Sequence, residues 1–241
     1  MNEKRVEILG GIPGKRGAYL NWLHDPTTGK YFAPTLPEHP SFEGVRKMHE
    51  SGNTGSGVKV AVIDTGLMLD HPWIKRSTEK SKDFTGEGIE DLNGHGTMVA
   101  LILLATSPGA SLFNVKVMDS EGRGSEENLI KGIQWAVKEG AQIINLSGGV
   151  YWKKWGIWDC KGDCKICRAA EDAAKVGVLV VTAAGNQPSK TYCPAKVGLV
   201  KKDIGVMGVA AYDFETGIIA PYSGVGNIAA PVGGYRLVPV E

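Results

Sequence analysis

The sequence predicts an α/β protein built on a doubly wound, mostly parallel sheet with helices on both faces. Three observations carry this. Short apolar runs rich in β-branched residues recur from Val58 onward, as strands buried on both faces require. Segments with apolar residues at helical spacing lie between them. The turns that join the two kinds of segment are short and glycine-rich, and regular alternation of strand and helix implies a parallel sheet.

Residues 1–57 lack clear periodicity and hold much of the proline, as in YFAPTLPEHP, so they read as an N-terminal extension or arm. Within it, 44–57 starts with a short helix and ends in a glycine-rich turn. The domain proper spans 58–241. VKVAVI (58–63) is its first strand and GTMVALILLA (96–105) a buried helix, followed by a strand at SLFNVKV (111–117). The stretch 125–140 places Leu129, Ile130, Ile133, Ala136 and Val137 on one helical face, with Ser125 as N-cap and Gly140 past the end. Then come strand 141–147, helix 167–177, strand 178–184 and strand 204–212.

A chain of 241 residues is long enough for a sizeable core. Its formal net charge of +1 leaves no electrostatic footprint for nucleic acid or an anionic membrane, so neither is expected as a partner. The longest apolar run, Met98 to Ala105, is far short of the roughly 20 residues of a membrane span. The opening MNEKRVEILGG has charges of both signs and no apolar core, unlike a secretory leader. A cytoplasmic location is expected, or export if this N-terminus is not the original one.

In doubly wound sheets, ligands sit at the carboxyl ends of the strands. Three strand ends carry chemistry: VIDTGL with Asp64, INLSGGV with Ser147, Gly148 and Gly149, and VTAAGNQ with Asn186. His95 joins them in DLNGHGTMVA, between two glycines that let another backbone come close. Singly, Asp64 reads as a turn or cap residue, His95 as structural and Asn186 as a turn former. Their joint, ordered occurrence at strand ends reverses that reading.

With D-T-G, G-H-G-T and A-A-G-N in this order, the chain resembles the subtilisin-like serine peptidases, the subtilases, over about residues 58–232. SLFNVKVMDSEGRGS and IQWAVKEGAQIINLSGG between the motifs agree with it. The resemblance implies a subtilisin-like fold and a serine endopeptidase acting on peptides or proteins, with no cofactor for catalysis. Asp64 would orient His95 and stabilise its cation, His95 would act as general base and acid, and the Asn186 amide would donate to the oxyanion. Gly122, Arg123, Gly124 and Ser125, with Ser147, Gly148 and Gly149, resemble the edges that pair with an extended peptide. Ala183, Ala184 and Gly185 would wall the pocket for the side chain before the cut bond. D-T-G also marks aspartic peptidases, but those are all-β proteins using two carboxylates, and a second D-T-G would have to come from a dimer.

The family's nucleophile lies in Gly-Thr-Ser-x-Ala-x-Pro, opening a central helix. Here Gly-Thr occurs only at 96–97, before Met98, and Ser223 belongs to the segment preceding the motif. The expectation is a domain incomplete at its C-terminus and inactive alone, since in subtilisin losing the serine costs roughly a millionfold in turnover. A further segment or partner chain would supply the missing helix. The alternative is a peptide-binding pseudoenzyme of the same fold.

Cys160, Cys164, Cys167 and Cys193 form C-x3-C-x2-C with a fourth cysteine later. The first three match the spacing of radical-enzyme clusters, which belong on another fold. Four thiolates can instead hold a structural zinc or pair as two disulfides. Without a leader, zinc or free thiols gain weight, and export would restore the disulfides. Three tryptophans in YWKKWGIWDC read as core filler or as a wall of the substrate groove.

Overall fold

The computed structural model describes residues 5–8, 19–150, 160–202 and 204–240, the first four by their backbone. Before residue 58 the chain forms β1 (Arg5–Ile8), α1 (Leu20–Leu23), β2 (His24–Asp25), β3 (Lys30–Thr35) and α2 (Glu43–Glu50). Next come β4 (Lys59–Asp64), α3 (Pro72–Ser77), β5 (Thr78–Asp83), α4 (His95–Thr106), β6 (Ser111–Lys116), β7 (Arg123–Ser125) and α5 (Glu126–Lys138). The remainder holds β8 (Ile143–Leu146), β9 (Gly148–Gly149), α6 (Lys165–Lys175), β10 (Leu179–Ala183), α7 (Lys196–Val200), β11 (Val206–Asp213), β12 (Ile228–Val232) and β13 (Arg236–Val240).

Seven strands form the main sheet in the order β12-β11-β10-β8-β4-β6-β5, and every neighbouring pair is parallel. This is the doubly wound α/β fold. The chain winds outward from β4 to β5 and β6, then crosses back to β8 on the other side of β4. The crevice beyond the carboxyl ends of β4 and β8 is therefore the topological switch point. Two small antiparallel sheets, β7-β1-β9 and β13-β3-β2, hold the other strands of the described residues.

One face of the sheet packs Val60, Val62 and Leu112 against Ala100, Leu101 and Leu104 of α4, with Leu23, Ala33 and Ile74 behind them. The other packs Ala61, Ile63, Phe113, Ile144 and Val180 against Leu129 and Ile133 of α5 and Ile166 and Ala170 of α6. Each large side chain so buried contributes about 1.5–3 kcal/mol relative to exposure. α4 is apolar all round because it is enclosed by β3, β4 and α3. The Ser125 hydroxyl caps α5, accepting from Asn128 N–H at 3.0 Å, and Gly140 follows the helix at φ 88°.

The burial pattern divides the sheet. β4 and β6 are buried along almost their whole length, as parallel strands covered on both faces should be. In β8, β10 and β11 buried and half-buried residues alternate, so among the described residues one face of that half is better covered than the other. The tryptophans Trp152, Trp155 and Trp158 lie outside the described residues. No helix among the described residues is long and apolar enough to cross a membrane.

Candidate active site

Asp64 is the last residue of β4 and His95 the first of α4, and both are buried. His95 Nδ1 lies 2.8 Å from Asp64 Oδ1, which also accepts from Thr65 N–H at 2.8 Å. An ionised carboxylate only accepts, so Nδ1 carries the proton and Nε2 is the basic nitrogen. Asp64 Oδ2 is buried without a hydrogen-bond partner among the described residues.

The glycines around His95 do admit close backbone, but that backbone is the chain's own rather than a substrate's. A Cβ at position 96 would overlap the carbonyl oxygen of Gly66 and stand 3.1 Å from Asp64 Cβ. One at Gly94, where φ is 101°, would stand 2.8 Å from Tyr19 Cβ. Tyr19 also meets the imidazole edge-on, with ring centroids 6.4 Å apart.

Asp91, which sequence reasoning missed, pins this corner. Its Oδ1 accepts from Asn93 N–H, Gly94 N–H and the Thr65 hydroxyl at 2.8–2.9 Å. Its Oδ2 accepts from Thr97 N–H at 2.9 Å and the Thr97 hydroxyl at 2.6 Å. Thr65 Oγ1 in turn accepts from Gly96 N–H at 3.0 Å. One buried carboxylate thus satisfies amides of the turn and of the first turn of α4, and ties both to the residue after Asp64. The signal available in sequence was an Asp two and three residues before backbone amides in a glycine turn.

Asn186 lies just past β10 and is exposed, at the same edge of the sheet as Asp64. With Ser147, Ala183 and Gly185 it lines a cleft of about 630 Å³ that runs over Val181, Val209 and Ala211. Ala184, between Ala183 and Gly185, is fully buried. Gly185 has φ 114° and sits on the Tyr192 ring, where any Cβ would overlap.

The strands β7 and β9, expected as peptide edges, both pair with another segment of the chain itself, β1. β1 runs antiparallel to β7, pairing Arg5 with Ser125, Val6 with Gly124 and Glu7 with Arg123. It also runs antiparallel to β9, pairing Glu7 with Gly149 and Ile8 with Gly148. Gly122 precedes β7 in a turn at φ 74°, and Ser147 lies one residue before β9, its hydroxyl accepting from the Asn145 amide at 3.1 Å. Ser223 is committed elsewhere: its hydroxyl accepts from Ala211 N–H at 2.8 Å and donates to the Gly224 carbonyl at 2.9 Å.

Away from this cleft, the four cysteines converge, with all four Sγ atoms within 4.8 Å of one another. Hydrogen bonds from Cys164, Cys167 and Cys193 lower the pKa of Cys160, while its proximity pushes Cys167 and Cys193 up. Such a set of donors could hold a metal ion.

The model of the subtilase family matches residues 55–233. A thermostable alkaline protease of Halalkalibacterium halodurans is 34% identical over 210 residues, covering 82% of this chain and 54% of the relative. The major intracellular serine protease of Bacillus subtilis is 38% identical over 168 residues, 63% of this chain and 50% of the relative. Subtilisin NAT of Bacillus subtilis subsp. natto is 29% identical over 237 residues, 94% of this chain and 58% of the relative. The chain thus spans about half the length of the curated relatives it matches. A parallel doubly wound sheet, a buried Asp–His pair at its switch point and a family match over most of its length place the chain in the subtilase family.

Proposed function

We propose that these residues form the Asp/His/Asn part of a serine endopeptidase that hydrolyses peptide bonds in extended peptides or proteins. The observation that carries this is the buried 2.8 Å contact between Asp64 and His95 at the switch point. Asp64 holds the tautomer in which Nε2 takes the nucleophile's proton and returns it to the leaving amine. The carboxylate oxygen without a described partner leaves negative charge in place for the imidazolium that forms. The Asn186 amide, on the rim of the cleft, donates to the tetrahedral oxyanion. Strand addition between the β7 and β9 edges orients the peptide, in the manner in which those edges already hold β1. Asp64 faces an imidazole rather than a second carboxylate, so an aspartic-peptidase mechanism gains no support.

The nucleophile comes from a helix outside the 241 residues, in cis or in trans, bearing the family's Gly-Thr-Ser. The half-covered strands support this reading. Val181, Ala183, Val209 and Ala211 point into the cleft beside Asn186, where a parallel sheet calls for a covering layer. The test compares the chain alone with the chain extended by such a helix, using peptide cleavage and labelling by a serine-directed phosphonylating reagent. Cleavage and labelling are expected only in the extended form, with Asp64→Asn lowering kcat by about 10⁴. Asp64-dependent cleavage by the 241-residue chain alone would overturn the assignment of the nucleophile. Tight binding of an extended peptide with no cleavage by either form would leave a peptide-binding pseudoenzyme as the correct reading.

A further inference from the structure

Cys160 precedes α6, Cys164 is the residue before its first turn, and Cys167 lies in that turn. The spacing of Cys164 and Cys167 puts both on one face of the helix. Cys193 arrives from a different loop, held by reciprocal backbone hydrogen bonds to Val150 of 2.9 Å each. The sulfurs nonetheless meet: all four lie within 4.8 Å of one another, and Cys160 and Cys167 are 3.8 Å apart. A tetrahedral ion with zinc–sulfur bonds of about 2.3 Å sets its sulfurs about 3.8 Å apart. A disulfide would draw two of them to about 2.05 Å, and an iron–sulfur cluster, which sits between its thiolates, would hold them further apart than one ion does.

We propose that Cys160, Cys164, Cys167 and Cys193 bind one zinc ion in a closed, structural site of four thiolates. The surroundings suit it. Lys161, Lys165 and Arg168, with Asp163, are interleaved with the ligands, so the segment carries a surplus of positive charge against the net negative charge of a zinc tetrathiolate. The amides of the first turn of α6 point toward the sulfurs' end of the helix and have no partners within it. A soft, all-sulfur tetrahedral set selects zinc over the hard divalent cations.

The site also has a position that matters for the cleft. Val150, bonded to Cys193, directly continues β9, one edge of the groove that holds β1. Tyr192, next to Cys193, donates its N–H to the Ala184 carbonyl at 2.9 Å and carries Gly185, the residue before Asn186, on its ring. The ion therefore fastens α6 to both the β9 edge and the Asn186 loop. Its removal loosens the peptide groove, whether or not that groove serves catalysis.

The experiment uses the full chain prepared with zinc under reducing conditions. Elemental analysis should give one zinc per chain. Exchange with cobalt(II) should give the near-ultraviolet thiolate charge-transfer bands and strong visible bands of a tetrahedral site. Thiol reagents should label the cysteines of the folded chain only after chelation, and chelation should lower Tm. Cys160→Ser, at a half-buried loop position, should keep the fold but weaken zinc binding by more than about tenfold and shift the cobalt spectrum. Iron in place of zinc, two disulfides in the non-reduced mass spectrum, or four reactive thiols with no bound metal would each overturn the proposal. Cobalt titration of the wild-type chain decides it even if every cysteine variant fails to fold.

Discussion

Gly96 and Gly66 meet backbone to backbone, and this contact sets how closely α4 approaches the turn after β4. The Asp64–His95 distance depends on it, since Gly96 directly follows His95 and Gly66 lies just beyond Asp64 and Thr65. A methyl group at position 96 has nowhere to go: it meets a carbonyl oxygen on one side and the Asp64 side chain on the other. Gly96→Ala should destabilise the chain by about 1–3 kcal/mol, the usual cost of overpacking, and lengthen the Asp64–His95 hydrogen bond. At this size each kcal/mol lowers Tm by roughly 2–4 °C. Gly44→Ala, in exposed α2 with open space around it, is the control and should raise Tm slightly. Equal melting of the Gly96 variant and wild type would show that the contact carries no strain.

The same corner contains the residue whose loss should be most damaging without any contact to substrate. Asp91→Ala removes every acceptor of five hydrogen-bond donors at once, several of them buried amides. Since each buried donor left unpaired costs about 1–3 kcal/mol, a loss of about 3 kcal/mol or more is expected. Asp91→Asn, which keeps one acceptor oxygen, should lose less. Urea unfolding of the two variants checks the order, and the reverse order would refute the network.

What could be read from the sequence follows from which forces are local. β4, β6, β8, β10 and β11 were legible because a strand covered by helices writes a short apolar run into the chain. β5 was not, because TEKSKD is a polar edge strand, and lysines on an edge guard against further pairing. β13 was not, because its partner β3 lies some two hundred residues earlier and both strands contain proline. Asp64 and His95 were legible from glycines and strand ends. Asp91, Thr65 and Thr97 were not, since polar residues in a glycine turn look alike until their partners are known. The cysteine spacing marked a local site, yet only tertiary structure brings Cys193 to the other three.

His71 gives a pH dependence independent of the cleft. It is fully buried, its Nε2–H donates to the Phe32 carbonyl at 3.1 Å and its Nδ1 accepts from Trp73 N–H at 3.2 Å. The bond from Trp73 requires the neutral ring, while the one to Phe32 survives protonation. Burial pushes its pKa below the ordinary 6.5, against the opposing pull of the Phe32 carbonyl and Asp70. Above pH 6.5 folded and unfolded states are both neutral there, and stability is full. As pH falls through 6.5 the unfolded chain binds a proton that the folded chain refuses, so stability drops until the folded pKa is reached. His71→Gln, which keeps a donor for Phe32, should flatten this slope in denaturant unfolding between about pH 5 and 7.5. An unchanged slope would assign the dependence to other groups.

The pairing of β1 with both β7 and β9 makes a prediction about access to the groove. The register joins Glu7 to Arg123 on one side and Gly149 on the other, so an extended peptide must displace β1 to use those two edges. An attached strand competes with an effective concentration in the millimolar range when its linker is short, so it weakens the binding of a free peptide to the same edges. Deleting residues 1–8 should therefore tighten binding of an extended peptide by at least about tenfold. A synthetic peptide of residues 2–9 should bind the deleted chain, and should bind the intact chain more weakly. Calorimetry measures both. The effect is an affinity change rather than a stability change, so Tm of the deleted chain separates lost competition from lost fold. If the deleted chain keeps its Tm and binds the peptide no better than the intact chain, β7 and β9 are not a peptide-binding groove, and the strand-addition part of the functional reading fails with them.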